Sequence, residues 1–99
     1  EHLAVLTGLQ QALEVDVDDD VQLEAAKAIG CLGPAALTAQ TALVHALKHD
    51  KSAIVKCWAA WALGRLGQKV STNTKAALTA ALQDPGPYVR ARAAVSLHQ

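Results

Sequence analysis

Two histidines of this 99-residue chain have the spacing of a helical metal site. His45 and His49 are four positions apart, so on a helix both imidazoles lie on one face and could bind one metal ion. The chain lacks a His-Glu-x-x-His pattern, and the nearest carboxylate, Asp50, follows the predicted end of the helix. We therefore interpret both residues as solvated surface side chains and predict no metal site.

Other signatures of catalysis or cofactor binding are also incomplete. Asp16 and the run Asp18–Asp20 resemble a calcium loop, but the glycine and glutamate that such a loop requires at its sixth and twelfth positions are missing. No glycine-rich phosphate loop or nucleophile motif is present. Cys31 and Cys57 have no CxxC pattern, which is typical of free thiols in a reducing compartment. We expect an intracellular protein, cytoplasmic or nuclear, that is not an enzyme and has no cofactor.

The composition indicates one small folded domain over residues 1–99. Hydrophobic residues make up 52% of the chain, yet no apolar run is long enough to span a membrane. The net charge is zero, but residues 1–24 hold seven of the nine acids and all nine basic residues follow them. Such a gradient could orient a partner, or the acids could form a solvated loop and helix start. Since the first residue is not methionine, we expect an excerpt of a longer protein.

A repeat of 34 residues runs through the chain. The most similar part of each unit is its second half, VQLEAAKAIGCLG at 21–33, VKCWAAWALGRLG at 55–67 and VRARAAVSLHQ at 89–99. Each is preceded by a stretch with leucines at i, i+4, namely LTGLQQAL at 6–13, TALVHAL at 41–47 and AALTAAL at 76–82. Two apolar-periodic stretches in each unit predict a helix hairpin, and stacked hairpins share one core.

Turn and capping residues separate the predicted helices. Asp18–Asp20, Asp50 or Ser52, and the run 71–74 offer N-caps, while Gly33 and Gly67 suit left-handed C-caps. The sequence therefore predicts six helices, at about 1–15, 20–32, 35–48, 52–66, 74–83 and 87–98.

The motif Val-x-x-x-Ala-Ala-x-Ala-Leu-Gly-x-Leu-Gly, best seen at 55–67, resembles the short HEAT-like repeat of phycobilisome-lyase-related proteins. The third unit departs from this pattern, since His98 replaces the glycine. The resemblance implies an all-α, right-handed solenoid of three HEAT-like hairpins, with units at about 1–34, 35–68 and 69–99. It also implies that the second helix of each hairpin lines a concave groove.

The direction of the two tryptophans decides what that groove contains. The predicted inward stripe of the fourth helix is Val55, Ala59, Ala62, Leu63 and Leu66. Trp58 and Trp61 fall off this stripe, and their repeat equivalents include charged side chains. We therefore predict that both rings point away from the shared core, and that replacing both with alanine leaves the melting temperature nearly unchanged.

A second stripe, on the groove side, is the predicted partner-binding site. Its residues are Ile54, Trp58, Tyr88, Trp61, Arg65, Arg92 and Val95. Aromatic and arginine side chains are typical of interaction hot spots, so we expect a scaffold or adaptor that binds a protein or peptide. Arg65 is one turn from Trp61 and could stack on it.

Several alternatives stay open at this stage. The rings could pack on a flanking repeat, fill a narrow groove or form a small-molecule site. Nucleic acid could bind Lys56, Arg65, Arg90 and Arg92 through its phosphates while its bases stack on the indoles. The chain could also be a non-catalytic fragment of a larger HEAT-like enzyme. It contains no His-Glu pair, so the activity of the HEAT-like iron hydroxylase, which uses such pairs, is not expected of it. The partner's identity and the oligomeric state are not predicted.

Overall fold

The computed structural model describes residues 2–15, 18–49, 52–67 and 69–98. Across these residues the secondary structure is helical. The α-helices are α1 (His2–Val15), α2 (Asp19–Leu32), α3 (Gln40–His49), α4 (Ala53–Arg65), α5 (Thr72–Ala81) and α6 (Pro87–His98), and a 3-10 helix covers Gly33–Ala39. The all-α class predicted from the repeat is confirmed.

The predicted start of the third helix near residue 35 is wrong. The segment Gly33–Ala39 is a 3-10 helix, and α3 begins only at Gln40. Gly33 has a φ of 65°, which ends the α-helical geometry of α2, and Pro34 follows it at the first turn of the 3-10 segment. Ala36 also leaves helical geometry. Residues 19–49 are helical throughout but kinked at this segment, so the six α-helices of the described residues fall into five helical runs.

Most of the predicted caps are confirmed. The Asp18 side chain accepts a hydrogen bond from the Asp20 N–H at the start of α2, and Ser52 accepts one from the Val55 N–H at the start of α4. Ser71 caps α5. The alternative cap Asp50 lies outside the described residues. Gly67 has a φ of 96°, as its predicted place after α4 requires.

The helices pack as three hairpins in two layers. Each hairpin pairs consecutive α-helices, α1 with α2, α3 with α4 and α5 with α6. Between hairpins, α4 lies between α2 and α6, and α3 lies between α1 and α5. The predicted inward stripe of α4 is buried throughout: Val55, Ala59, Ala62, Leu63 and Leu66. Small alanines at this seam let the helix backbones approach closely, which explains a core without phenylalanine or methionine.

Burial changes along the stack as expected for repeating units that cover one another. Val55 and Val89 are 0% exposed, whereas their equivalent in the first unit, Val21, is 39% exposed. At the other end, Ala60 is buried but its equivalent Ala94 is exposed. The two outer faces of the stack are therefore partly apolar and open in this structure.

Two buried hydroxyl groups link the second unit to the third. Thr74 Oγ1 on α5 donates a hydrogen bond of 2.7 Å to the Gln40 side-chain oxygen on α3. In the other layer, Ser96 Oγ on α6 donates one of 2.6 Å to the Ala60 carbonyl on α4. Both hydroxyls are satisfied, so burying them does not carry the penalty of an unpaired polar group.

A charged brace joins the same two units where α6 begins. Lys56 Nζ on α4 donates a hydrogen bond of 2.7 Å to Asp84 Oδ2, and the Gly86 N–H donates one of 2.8 Å to Asp84 Oδ1. Arg90 donates to the backbone carbonyls of Asp84 and Pro85. Burial alone would raise the pKa of Asp84, but these hydrogen bonds and the charges of Lys56 and Arg90 outweigh it and hold the pKa below its ordinary value.

We expect the variant Asp84→Asn to lower the free energy of unfolding at neutral pH by about 1 kcal/mol, because it removes the charged partner of Lys56. The depressed pKa means that this contribution is fully present above the ordinary value of 3.8 and is lost as the pH falls through the lower folded-state value. Urea unfolding at neutral pH and at a pH well below 3.8, under the lowered folded-state pKa, measures this. A difference between the variant and the parent that is the same at both pH values would contradict the role of the carboxylate.

Candidate functional site

The two tryptophans on α4 contact each other edge to face. Their ring centroids are 5.3 Å apart and the ring planes are 82° to one another. Both side chains are half-buried and pack against the core. The prediction that the rings point away from the core therefore needs correction, because neither indole is free of the fold's own packing.

Trp61 fills a space that a glycine leaves on the neighbouring unit. Gly30 lies in the last part of α2, and a Cβ atom placed there would come within 2.8 Å of Trp61 Cε3, and closer still to Cζ3. Trp61 thus lies between the first and second hairpins. The 34-residue register compares Trp61 with Lys27 and Val95 but does not show which residue faces it in space, so the sequence did not reveal this contact.

Three cations lie over the indole rings. Lys27 Nζ, from α2, is 5.3 Å from the centroid of the Trp58 ring, and Arg92 Cζ, from α6, is 5.9 Å from the same centroid. Arg65 Cζ is 5.9 Å from the centroid of Trp61, the pairing predicted from their helical spacing. Lys27 was missed as a groove residue, although its equivalence to Trp61 placed it on the same side of α2.

A cavity of about 390 Å³ opens between the first halves of α4 and α6. It is lined by Ala53, Ile54, Cys57, Trp58, Gly86, Pro87, Tyr88, Val89 and Arg92. The lining is almost entirely apolar, and Arg92 is its charged member. Ile54 is 54% exposed and Tyr88 is 78% exposed, so two large apolar side chains at its edge have no covering group among the described residues.

The structure brings only part of the predicted site together in this cavity. Ile54, Trp58, Tyr88 and Arg92 line it, whereas Trp61, Arg65 and Val95 do not. Trp61 and Arg65 continue from Trp58 along α4, and Val95 is exposed farther along α6. The remaining lining residues were missed. Ala53 and Cys57 adjoin the stripe on α4, and Gly86 and Pro87 belong to the Asp-Pro-Gly-Pro stretch that leads into α6.

The other candidate chemistry does not assemble into a site within the described residues. His45 and His49 contact each other, with ring centroids 4.8 Å apart, and both are exposed. In residues 2–15, 18–49, 52–67 and 69–98, no group of three or more histidines, cysteines or acids could hold a metal ion. Both thiols are free. Asp16, part of the calcium-like run, lies outside the described residues.

Stacked helix hairpins with an open groove between their second helices define an α-solenoid. A family model described as HEAT repeats matches residues 6–98, so the chain belongs to the HEAT-repeat family. A search of curated proteins finds no sequence that matches the chain. HEAT repeats generally act as protein-interaction scaffolds and are typically non-catalytic. None of the described helices is long and apolar enough to cross a bilayer.

Proposed function

We propose that this chain is an interaction scaffold that holds a protein or peptide in the groove formed by α4 and α6. The observation that carries the proposal is the apolar cavity, with Ile54 and Tyr88 exposed at its edge. A protruding apolar side chain of a partner would enter this half-open cavity and remove both residues from water. The intracellular location expected from the free thiols is part of the same proposal.

All seven residues of the predicted stripe belong to the proposed surface, some as direct contacts and others as support. Ile54, Trp58, Tyr88 and Arg92 form the contact centre, and Arg65 and Val95 extend the surface beyond it. Trp61 packs edge to face against Trp58, and its own ring packs against Gly30 of α2.

Nucleic acid is the second candidate, and the geometry favours it less. The sequence suggested four cations as phosphate ligands, and two of them already have partners in the protein. Lys56 is bound to Asp84, and Arg90 donates to two backbone carbonyls. Lys27 and Arg92 lie over the Trp58 ring, and Arg65 lies over the Trp61 ring. A base that stacks on an indole would compete with these cations for the ring.

The chain offers a matched pair of variants to test the groove. Ile54 and Val5 are β-branched helical residues with exposed fractions of 54% and 56%, but Val5 lies on α1, away from the cavity. Peptides would first be selected from a random display library on the parent protein, and their Kd then measured by fluorescence anisotropy. We expect Ile54→Ala to weaken binding by about tenfold or more, as for a hot-spot residue, and Val5→Ala to leave it unchanged. Equal Kd values for both variants would contradict a binding site at the cavity.

A further inference from the structure

The cations beside the indoles have no acidic partner among the residues that the structure describes. Lys27, Arg65 and Arg92 form no ion pair with any residue that the structure describes. Each lies over an aromatic ring, and Arg92 is half-buried while Lys27 and Arg65 are exposed, so the loss of hydration is largest at Arg92. Partial desolvation strengthens the interaction of a cation with an incoming carboxylate relative to the same pair in bulk water.

The acids near the groove do not cancel this charge. Asp84 is already paired with Lys56, and in the chain after residue 24 the only other acid is Asp50, which lies outside the described residues. Glu24 is one turn before Lys27 on α2 but does not form an ion pair with it. The surface over α4 and α6 is therefore positive, whereas acids dominate the start of α2.

The groove thus combines an apolar cavity with nearby cations, so a ligand that uses both needs an apolar side chain and negative charge. Its cavity accepts an apolar side chain, and Arg92 lies both in the cavity lining and over Trp58. Lys27 reaches the same ring from α2, and Arg65 follows about 10 Å farther along α4, given the helical rise of about 1.5 Å per residue. Carboxylates close to an apolar anchor in a partner's sequence would meet these cations.

We propose that the partner is an acidic protein segment that inserts one bulky apolar side chain into the cavity and places aspartate or glutamate residues against Arg92, Lys27 and Arg65. This inference rests on the proposed function, since it names the chemistry of the partner for the same groove. A nucleic acid would supply negative charge but no aliphatic anchor, and its bases would find the indole rings already covered by cations.

A set of synthetic peptides tests the anchor and the charge separately. The reference peptide has a central leucine flanked by aspartate and glutamate. Its companions replace the acids with asparagine and glutamine, replace them with lysine, or change the leucine to alanine. We expect the acidic peptide to bind about tenfold more tightly than the amide version, and the lysine and alanine versions to bind more weakly than either. Quenching of indole fluorescence gives each Kd.

Variants of the protein locate the charge. We expect Lys27→Gln to weaken binding of the acidic peptide about fivefold and to leave the amide peptide unaffected. Arg92→Gln also changes the cavity lining, so we expect it to weaken both peptides, the acidic one about fivefold more than the amide one. Lys48→Gln, which removes an exposed cation from α3, is the matched control and should change neither Kd. Circular dichroism of each variant confirms that its fold is retained.

The outcomes separate the two levels of the proposal. If no peptide binds, or if Ile54→Ala has no effect on any of them, the proposed function itself fails. If the amide peptide binds as tightly as the acidic one, or if Arg92→Gln and Lys48→Gln behave alike, the groove still binds peptides but the inference about acidic partners is overturned. Tighter binding of a single-stranded oligonucleotide, with loss of that binding in Arg92→Gln, would overturn it in favour of nucleic acid.

Discussion

Replacing Gly30 with alanine is expected to lower the free energy of unfolding by about 2 kcal/mol, which for a domain of this size lowers the melting temperature by roughly 10 °C. Alanine is normally the better helix former, so the expected sign is the reverse of helix propensity. The reason is steric. The added Cβ would overlap the Trp61 ring and come within 3.1 Å of Ala62 Cα, a backbone atom that cannot turn aside.

Gly8 on α1 provides the matched control. A Cβ atom there would meet nothing within 4 Å, so Gly8→Ala should leave stability unchanged or raise it by up to about 1 kcal/mol. Thermal unfolding followed by circular dichroism measures both variants. If Gly30→Ala is as stable as Gly8→Ala, the close contact between α2 and Trp61 does not exist in solution.

The second large effect is expected at the tryptophan itself. Trp61→Ala should lower the free energy of unfolding by about 2 kcal/mol, less than the 3–5 kcal/mol typical of a fully buried tryptophan because the ring is only half-buried. This expectation differs from the sequence-based prediction that removing both indoles hardly changes the melting temperature, because both rings pack against the core. Chemical denaturation of Trp61→Ala beside Tyr88→Ala gives the comparison, since Tyr88 is 78% exposed and its loss should cost little.

A double-mutant cycle tests whether the two effects share one cause. In the Trp61→Ala background, Gly30→Ala should lose most of its penalty because the ring that it strikes is gone, although the contact with Ala62 stays. Additive effects of the two substitutions would show that Gly30 and Trp61 act independently. That result would contradict the packing of Trp61 against Gly30 between the first two hairpins.

The sequence predicted the helical units well because their signals are local and repeated. The alanine pairs and the i, i+4 leucines define the inward faces, and caps such as Ser52 and Ser71 fix helix starts by hydrogen bonds only a few residues long. The pairing of Arg65 with Trp61 was predictable for the same reason, since both residues are on one helix.

Features that depend on contacts between units could not be predicted in this way. A repeat register identifies which residues are equivalent but not which ones meet. The space at Gly30 is filled from the next hairpin, and the cavity exists only because the turn before α6 lies against the start of α4. The 3-10 segment was missed because Gly33 and Pro34 are compatible with a simple break as well as with a tighter helical turn.

The hydrogen bonds of Asp84 affect how strongly a ligand binds in the cavity. Gly86, which lies beside Pro87 in the cavity lining, donates its N–H to the carboxylate that also binds Lys56. A receptor wall already fixed in place loses little conformational freedom when a ligand arrives, so more of the contact energy is retained as affinity. The entropy lost on complex formation would then come mainly from the ligand, and stiffening the ligand rather than the scaffold would be the effective way to tighten the complex.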